Sequence, residues 1–172
     1  MFIIGVEEKY PKELLKGRVN IEGNVIGCLW QDALLIDESN LDTKNFLTKD
    51  GAYYFALAKN LRSKGFSSFD EVTVLSNISD ELLLGFNERG GWSTIQVLID
   101  VINNKNYDTY LDILYRENIL IGMYDDGFNL LKEIDINGKN IIPLNMFRKM
   151  DSESVLDWYE SRLSSYGTGY SS

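Results

Sequence analysis

Residues 107–134, YDTYLDILYRENILIGMYDDGFNLLKEI, contain no proline and form the longest helical pattern in the chain. Apolar residues recur every three or four positions along one side, as a core-facing stripe requires; they are Tyr107, Tyr110, Leu114, Ile121, Tyr124, Phe128 and Leu131. A second apolar strip follows the opposite side, where a surface helix is normally polar. We therefore expect the rest of the chain to pack against the first stripe.

The second strip consists of Tyr115, Ile119 and Met123, and charged residues such as Asp112 and Arg116 flank it. An apolar seam in a solvated surface is typical of a contact with a second helix or a second subunit. The alternative is that the helix is buried on both sides within its own domain. With two aromatic residues from a later helix, the predicted interface comprises Tyr110, Leu114, Tyr115, Ile119, Met123, Trp158 and Tyr159.

The segment after the long helix predicts a partner helix. Asn137 and Gly138 are a turn signal, and residues 151–163 place Val155, Leu156, Tyr159 and Leu163 on one helical face. We expect the two helices to form a hairpin over residues 105–166. The Gly- and Ser-rich residues 167–172 predict the start of a flexible linker.

The residues before the hairpin predict a helical head over positions 1–104. Thr48 and Ser79 are placed to cap helices, Asn20 can begin another, and Gly65 is placed to end one. Ser68 precedes a further short helical stretch. Alternation with a period of two residues is nowhere sustained, so the predicted class is all-α: a globular head followed by a helical hairpin.

Composition excludes several kinds of function. The 172 residues include 17 Lys and Arg against 26 Asp and Glu, a formal charge of −9 that argues against tight binding to nucleic-acid phosphates. There is no histidine, the single Cys28 excludes an internal disulfide and a cysteine-based zinc site, and no phosphate-binding P-loop motif occurs. We therefore predict no catalytic, cofactor-binding or metal-binding residue in this chain. No signal peptide or membrane-spanning run is evident, which favours a cytoplasmic location.

Short motifs in a fixed order resemble the N-terminal domain of DnaB-type replicative DNA helicases, over about residues 20–163. The matching pieces are Glu22 with residues 25–29, residues 34–37, Asn45 with Phe46, residues 53–61 with Gly65, residues 70–74, Gly90 with Gly91, Asn106 to Tyr110, and residues 156–160. The chain departs from the family pattern after Arg116 and Glu117, where a basic residue is missing, and its segment 135–150 is longer. A divergent phage or bacterial member fits these departures.

The resemblance implies a non-catalytic module with a head and a hairpin. In that family the hairpins pair between subunits, and six domains form a collar as a trimer of dimers, to which primase and the helicase loader bind. ATP and magnesium belong to a C-terminal motor domain that this chain lacks, so the resemblance implies a piece of an ATP-dependent DNA helicase.

Two other interpretations stay open. The first is a stand-alone helicase loader or replication accessory protein with the same fold, which the gene sequence beyond Ser172 would distinguish. The second is a small acidic enzyme or regulator of unrelated fold. The lack of histidine and of an activated nucleophile argues against the enzyme, and a structure without a C-terminal helical hairpin would favour the regulator.

Overall fold

A computed structural model describes the backbone of residues 9–171 and the side chains of residues 9–163. Within that part the chain is mostly helical, with a single two-stranded sheet, which confirms the all-α class. The chain divides into two compact units, Met1–Tyr110 and Leu111–Ser172. The division lies within the long helix, whereas the sequence predicted a boundary between residues 104 and 105.

The first unit is a succession of short and medium helices. They are α1 (Lys12–Leu15), α2 (Arg18–Gln31), α3 (Leu35–Glu38), α4 (Lys49–Ser63), α5 (Glu71–Asn77), α6 (Asp80–Glu88) and α7 (Trp92–Val101), with 3-10 turns at Thr43–Asn45 and Asn104–Asn106. The long helix α8 (Tyr107–Asp125) begins at the end of this unit.

Local end signals account for several of these boundaries. The hydroxyls of Thr48 and Ser79 accept hydrogen bonds from the third residue of α4 and α6, as predicted. Gly65 adopts a φ of 97° just after α4, also as predicted. One predicted start is corrected. Helix α2 begins at Arg18, after Gly17 in a left-handed conformation, so Asn20 is an interior residue. The short helix predicted after Ser68 is confirmed as α5, and its cap is Asp70, one residue before the helix.

Helix α2 is the central element of the first unit, because it packs against both α4 and α7. Its residues Val25, Ile26 and Leu29 are completely buried. Trp30 meets the edge of Phe69 at 5.1 Å between ring centroids and donates its indole N–H to a backbone carbonyl of α4. Helix α2 therefore forms the middle of this unit's core.

A buried carboxylate joins the beginning of α2 to the beginning of α4. Glu22 has no exposed surface, and it accepts hydrogen bonds from the Thr48 hydroxyl at 2.6 Å and from the Leu47 N–H at 2.8 Å. It also forms an ion pair with buried Arg18, one turn earlier. Gly51 faces this carboxylate, and a Cβ added there would overlap Glu22 Oε1 and Thr48 Oγ1. A buried charge is tolerated when it is paired and hydrogen-bonded, so these contacts fix the two helices together.

Helices α2 and α7 approach closely at one glycine. A Cβ built on Gly27 would lie 2.5 Å from Ile102 Cγ1 and 3.0 Å from the Leu98 carbonyl oxygen. One turn earlier, a Cβ on Gly23 would meet only Leu98 Cδ2, at 3.8 Å. Gly27 is therefore required by the helix packing, and Gly23 is not.

The long helix ends earlier than predicted. Helix α8 stops at Asp125, and Gly127 follows with a φ of 91°. The N–H of Gly127 donates to the Tyr124 carbonyl and the N–H of Phe128 to the Met123 carbonyl, which is the Schellman pattern of a helix end. The prediction of a helix to Ile134 is wrong because it read the apolar residues beyond Gly127 as a continued helical face.

A short β-hairpin and a short helix occupy the segment after Gly127. Strands β1 (Ile134–Ile136) and β2 (Lys139–Ile141) pair antiparallel, with Asn137 and Gly138 at positive φ between them. The turn was predicted and is confirmed, but the strands were not predicted. Helices α9 (Pro143–Phe147) and α10 (Ser152–Ser171) complete the second unit.

The order of contacts shows that α8 and α10 are not the two arms of a simple hairpin. Asp112, early in α8, accepts hydrogen bonds from the N–H and hydroxyl of Ser152 at the beginning of α10. Asp126, after the end of α8, accepts one from Tyr159 farther along α10. The two helices therefore run in the same general sense, because residues 127–151 return along α8 before α10 begins.

The C-terminal residues also differ from their prediction. Helix α10 continues to Ser171, so residues 167–171, expected in a flexible linker, are helical. No proline interrupts this stretch, and its glycines weaken a helix without forbidding it. Ser172 and residues 1–8 lie outside the described residues. The prediction that the N-terminus is not a signal peptide falls on residues 1–8.

Candidate interaction surfaces

Only part of the interface predicted on α8 is accessible to a partner in the structure. Leu114 and Met123 are completely buried within the chain, so neither can meet a partner and both are removed from the predicted interface. Tyr115 and Ile119 stay partly exposed in the second unit, and Tyr110 is partly exposed at the end of the first. The outer strip is thus reduced to two residues, and near Met123 the alternative of a helix buried on both sides is the correct one.

A buried ion pair at Glu117 joins α8 to the segment that precedes α10. Its side chain is buried on α8, where its carboxylate accepts hydrogen bonds from Arg148 at 2.8 and 3.1 Å and from neighbouring Arg116 at 3.1 Å. Arg116 also donates to the carbonyls of Arg148 and Met150. These contacts hold the beginning of α10 against α8. Both guanidinium groups therefore make structural contacts.

Trp158 and Tyr159 belong to an aromatic cluster inside the second unit. Trp158 lies 4.9 Å from Phe147 and 5.8 Å from Phe128 between ring centroids, and Tyr159 lies 6.1 Å from Phe128. Arg162 lies over the rings of Phe128 and Trp158. Desolvation, with a hydrogen bond to Asp126, raises the pKa of Tyr159 above its ordinary value. Both residues are partly exposed, so they hold the cluster together and present one edge to solvent.

Two leucines of α10 were assigned to the wrong side by the sequence. The helical pattern placed Val155, Leu156, Tyr159 and Leu163 on one packed face. Val155 is completely buried, whereas Leu156 is 41% exposed and Leu163 is 52% exposed. Their spacing of seven residues puts both on one exposed side of the helix. Leu156 and Leu163 on α10, and Tyr115 and Ile119 on α8, are thus apolar side chains of the second unit that remain exposed or partly exposed.

The first unit has a shallow groove between α2 and α7. Its volume is about 390 Å³, and none of its lining residues is charged. Val97 and Val101 on its rim are 61% and 70% exposed. Gly23 faces the groove without a packing requirement of its own.

Chemically reactive groups are few in the part of the chain that the structure describes. No three His, Cys, Asp or Glu side chains among those residues are placed to hold a metal ion. Cys28 is buried, and burial raises the pKa of its thiol to about 11, which keeps it in the unreactive protonated form. No helix within the described residues is long and apolar enough to cross a bilayer.

We compared the chain with family models, with curated proteins and with solved structures. None of them matches. The assignment of a role therefore depends on the motif order and on the surfaces described above.

Proposed function

We propose that this chain is the N-terminal oligomerisation and partner-docking domain of a replicative DNA helicase of the DnaB type. In the full protein it contributes to a hexameric collar that binds primase and the helicase loader, and a C-terminal motor supplies ATP-driven unwinding with ATP and magnesium. The chain itself carries out no catalysis.

The order of family-like motifs along the helices of the first unit carries the proposal. Glu22 and residues 25–29 lie in α2, residues 53–61 in α4, residues 70–74 at the start of α5, and Gly90 with Gly91 between α6 and α7. The motifs thus follow one another along the helices of this unit. Glu22 lies in the buried ion pair with Arg18, and Gly90 with Gly91 lies between two helix ends.

The exposed apolar side chains of the second unit support self-association. Leu156 and Leu163 are large aliphatic residues with about half of their surface in water, and Tyr115 and Ile119 are partly exposed. Burying these side chains between two copies removes apolar area from water, at about 25 cal/mol per Å² before the costs of association. We place the contact between subunits on these residues of α8 and α10.

A charge placed at these positions tests the proposal. Leu156→Glu and Ile119→Glu are expected to weaken self-association of the chain by more than about tenfold, because an unpaired buried charge costs at least about 2 kcal/mol. Light scattering over a range of concentrations measures the mass, and circular dichroism checks that each variant is folded. Val97→Glu is the matched control, since Val97 is an exposed aliphatic residue of the first unit.

Unchanged mass in folded Leu156→Glu would count against an interface on α10. The gene sequence downstream of Ser172 provides a second test. A P-loop ATPase there supports the helicase, and a stop codon supports the stand-alone loader or accessory protein.

A further inference from the structure

One side of α6 packs against the rest of the first unit. The Tyr53 hydroxyl donates to the Leu82 carbonyl at 2.7 Å, and Phe86 is completely buried. A Cβ added to Gly85 would lie 3.4 Å from the Tyr53 ring. Positions 82, 85 and 86 therefore face inward, and the residues half a turn away face solvent.

The outward face of α6 places one leucine among carboxylates. Leu84 is 66% exposed, and it lies three residues after Glu81 and four residues before Glu88. Asp80 and Asn87 complete the face, and all of its members are exposed. A leucine in this setting is not needed by the core, since its side chain points away from Tyr53.

The surrounding charge is strongly one-sided. Residues 66–88 contain five acidic residues and no Lys or Arg, whereas the rest of residues 9–110 contains eleven basic and nine acidic residues. None of the five carboxylates, which are Asp70, Glu71, Asp80, Glu81 and Glu88, forms an ion pair with any residue that the structure describes. None of these five carboxylates is therefore paired in a salt bridge within the described residues, and the Lys64 ammonium, which donates to the Asn77 carbonyl at the end of α5, is a cation close to this surface.

Glu88 shows that helix stability alone does not explain the carboxylates. Asp80 and Glu81 lie in the first turn of α6, where the helix dipole favours negative charge, but Glu88 is the last residue, where the dipole disfavours it. The adjacent Arg89 donates to Asp50 at 3.0 Å and lies 4.2 Å from the centre of the Tyr53 ring. Its guanidinium thus points to α4.

Helix α5 extends the same combination of groups. Val72 is 75% exposed and Leu75 is 44% exposed, and Asp70 and Glu71 precede them at the beginning of the helix. Only Val74 of this helix is buried. Both α5 and α6 therefore present aliphatic side chains together with carboxylates to solvent.

We propose that the outward face of α6 binds a basic amphipathic helix of a partner protein. Leu84 supplies the apolar contact, and the carboxylates on either side pair with lysine or arginine residues that flank the partner's apolar stripe. Nucleic acid is repelled by this surface. A second copy of the chain is a poor partner as well, since its own surface is acidic overall.

A model peptide tests the proposal directly. The probe is a synthetic helical peptide with leucines at helical spacing and lysines on both sides, and its dissociation constant from the full chain is measured by fluorescence anisotropy. Glu81→Lys/Glu88→Lys is expected to weaken binding by about tenfold, because two like charges then face the probe. Leu84→Ser is expected to weaken it by a smaller factor. Added salt weakens binding to the wild type more than to the double variant.

The chain contains a matched control with identical spacing. Glu153, Leu156 and Glu160 on α10 repeat the separation of Glu81, Leu84 and Glu88. Each reversal adds two charges, so Glu153→Lys/Glu160→Lys shifts the formal net charge from −9 to −5, as the α6 double variant does. This control is expected to change the dissociation constant of the probe by no more than about twofold, since it changes the net charge of the chain but leaves the α6 face intact.

Three outcomes overturn the proposal. Equal losses in the two double variants mean that the probe senses only the net charge of the chain. Unchanged binding in the α6 variant means that the probe binds elsewhere. A lower mass of the α6 variant in light scattering means that a second copy covers this face. The inference concerns the first unit alone, so its failure is distinguishable from failure of the self-association test, which acts on the second unit.

Discussion

A substitution of Gly27 by alanine tests the closest helix contact in the first unit. Alanine favours a helix interior over glycine by about 1 kcal/mol, so a solvent-exposed glycine of α2 should gain stability when it is replaced. Gly27 lacks the space. Its added Cβ would lie 2.5 Å from Ile102 Cγ1 and 3.0 Å from the Leu98 carbonyl oxygen. Neither is the far end of a flexible side chain, so α7 itself must move.

The matched variant Gly23→Ala isolates the cost of that movement. Gly23 is on the same helix, and its added Cβ meets only Leu98 Cδ2 at an ordinary contact distance of 3.8 Å. Both variants gain the same helix propensity, which therefore cancels in the comparison. Overpacking a tight contact costs about 1–3 kcal/mol, so we expect Gly27→Ala to be less stable than Gly23→Ala by that amount.

Urea unfolding followed by far-ultraviolet circular dichroism measures this difference. Gly23→Ala should raise the unfolding midpoint above that of the wild type, and Gly27→Ala should lower it, with an unchanged dependence on urea in both. Equal stabilisation by the two alanines would refute the reasoning, because it would mean that α2 and α7 do not approach as closely as Gly27 indicates.

Two other predictions concern buried polar groups. Glu22→Gln should destabilise the chain by about 3–5 kcal/mol, because buried Arg18 loses its charged partner. Urea unfolding measures this loss, with the exposed Glu38→Gln as the control. Equal unfolding midpoints for the two variants would contradict the prediction. Burial raises the pKa of Tyr54 to about 12. The unfolded phenol loses its proton near pH 10, so the unfolded chain binds fewer protons between about pH 10 and 12, and stability should fall as the pH rises through that interval. Tyr54→Phe should lessen this loss, and an identical pH profile for the variant would show that another group is responsible.

Features with local causes could be predicted from the sequence. Thr48 and Ser79 cap helices through their own hydroxyls, and Asn137 with Gly138 accepts the positive φ that a tight turn needs. Each signal acts within a few residues, so the rest of the chain has little influence on it. The all-α class follows from the same kind of evidence, because helical spacing recurs over most of the chain.

Features that depend on distant residues could not be predicted. The side of α8 that is buried depends on Glu117, whose partner Arg148 lies 31 residues later in the chain. The strands β1 and β2 have three residues each, too few for an alternating pattern to show. The exposed position of Leu156 likewise depends on how α10 packs beside α8.

The contact between Gly51 and Glu22 has a consequence for how related sequences can diverge. The carboxylate occupies the volume that any larger side chain at position 51 would need. A chain that keeps the acid at position 22 must therefore keep glycine at 51, and one that loses the acid is free to replace it. The two positions are expected to change together in an alignment, in step with position 18, which supplies the positive charge. Positions 18, 22 and 51 are thus expected to covary, although they are separated along the chain.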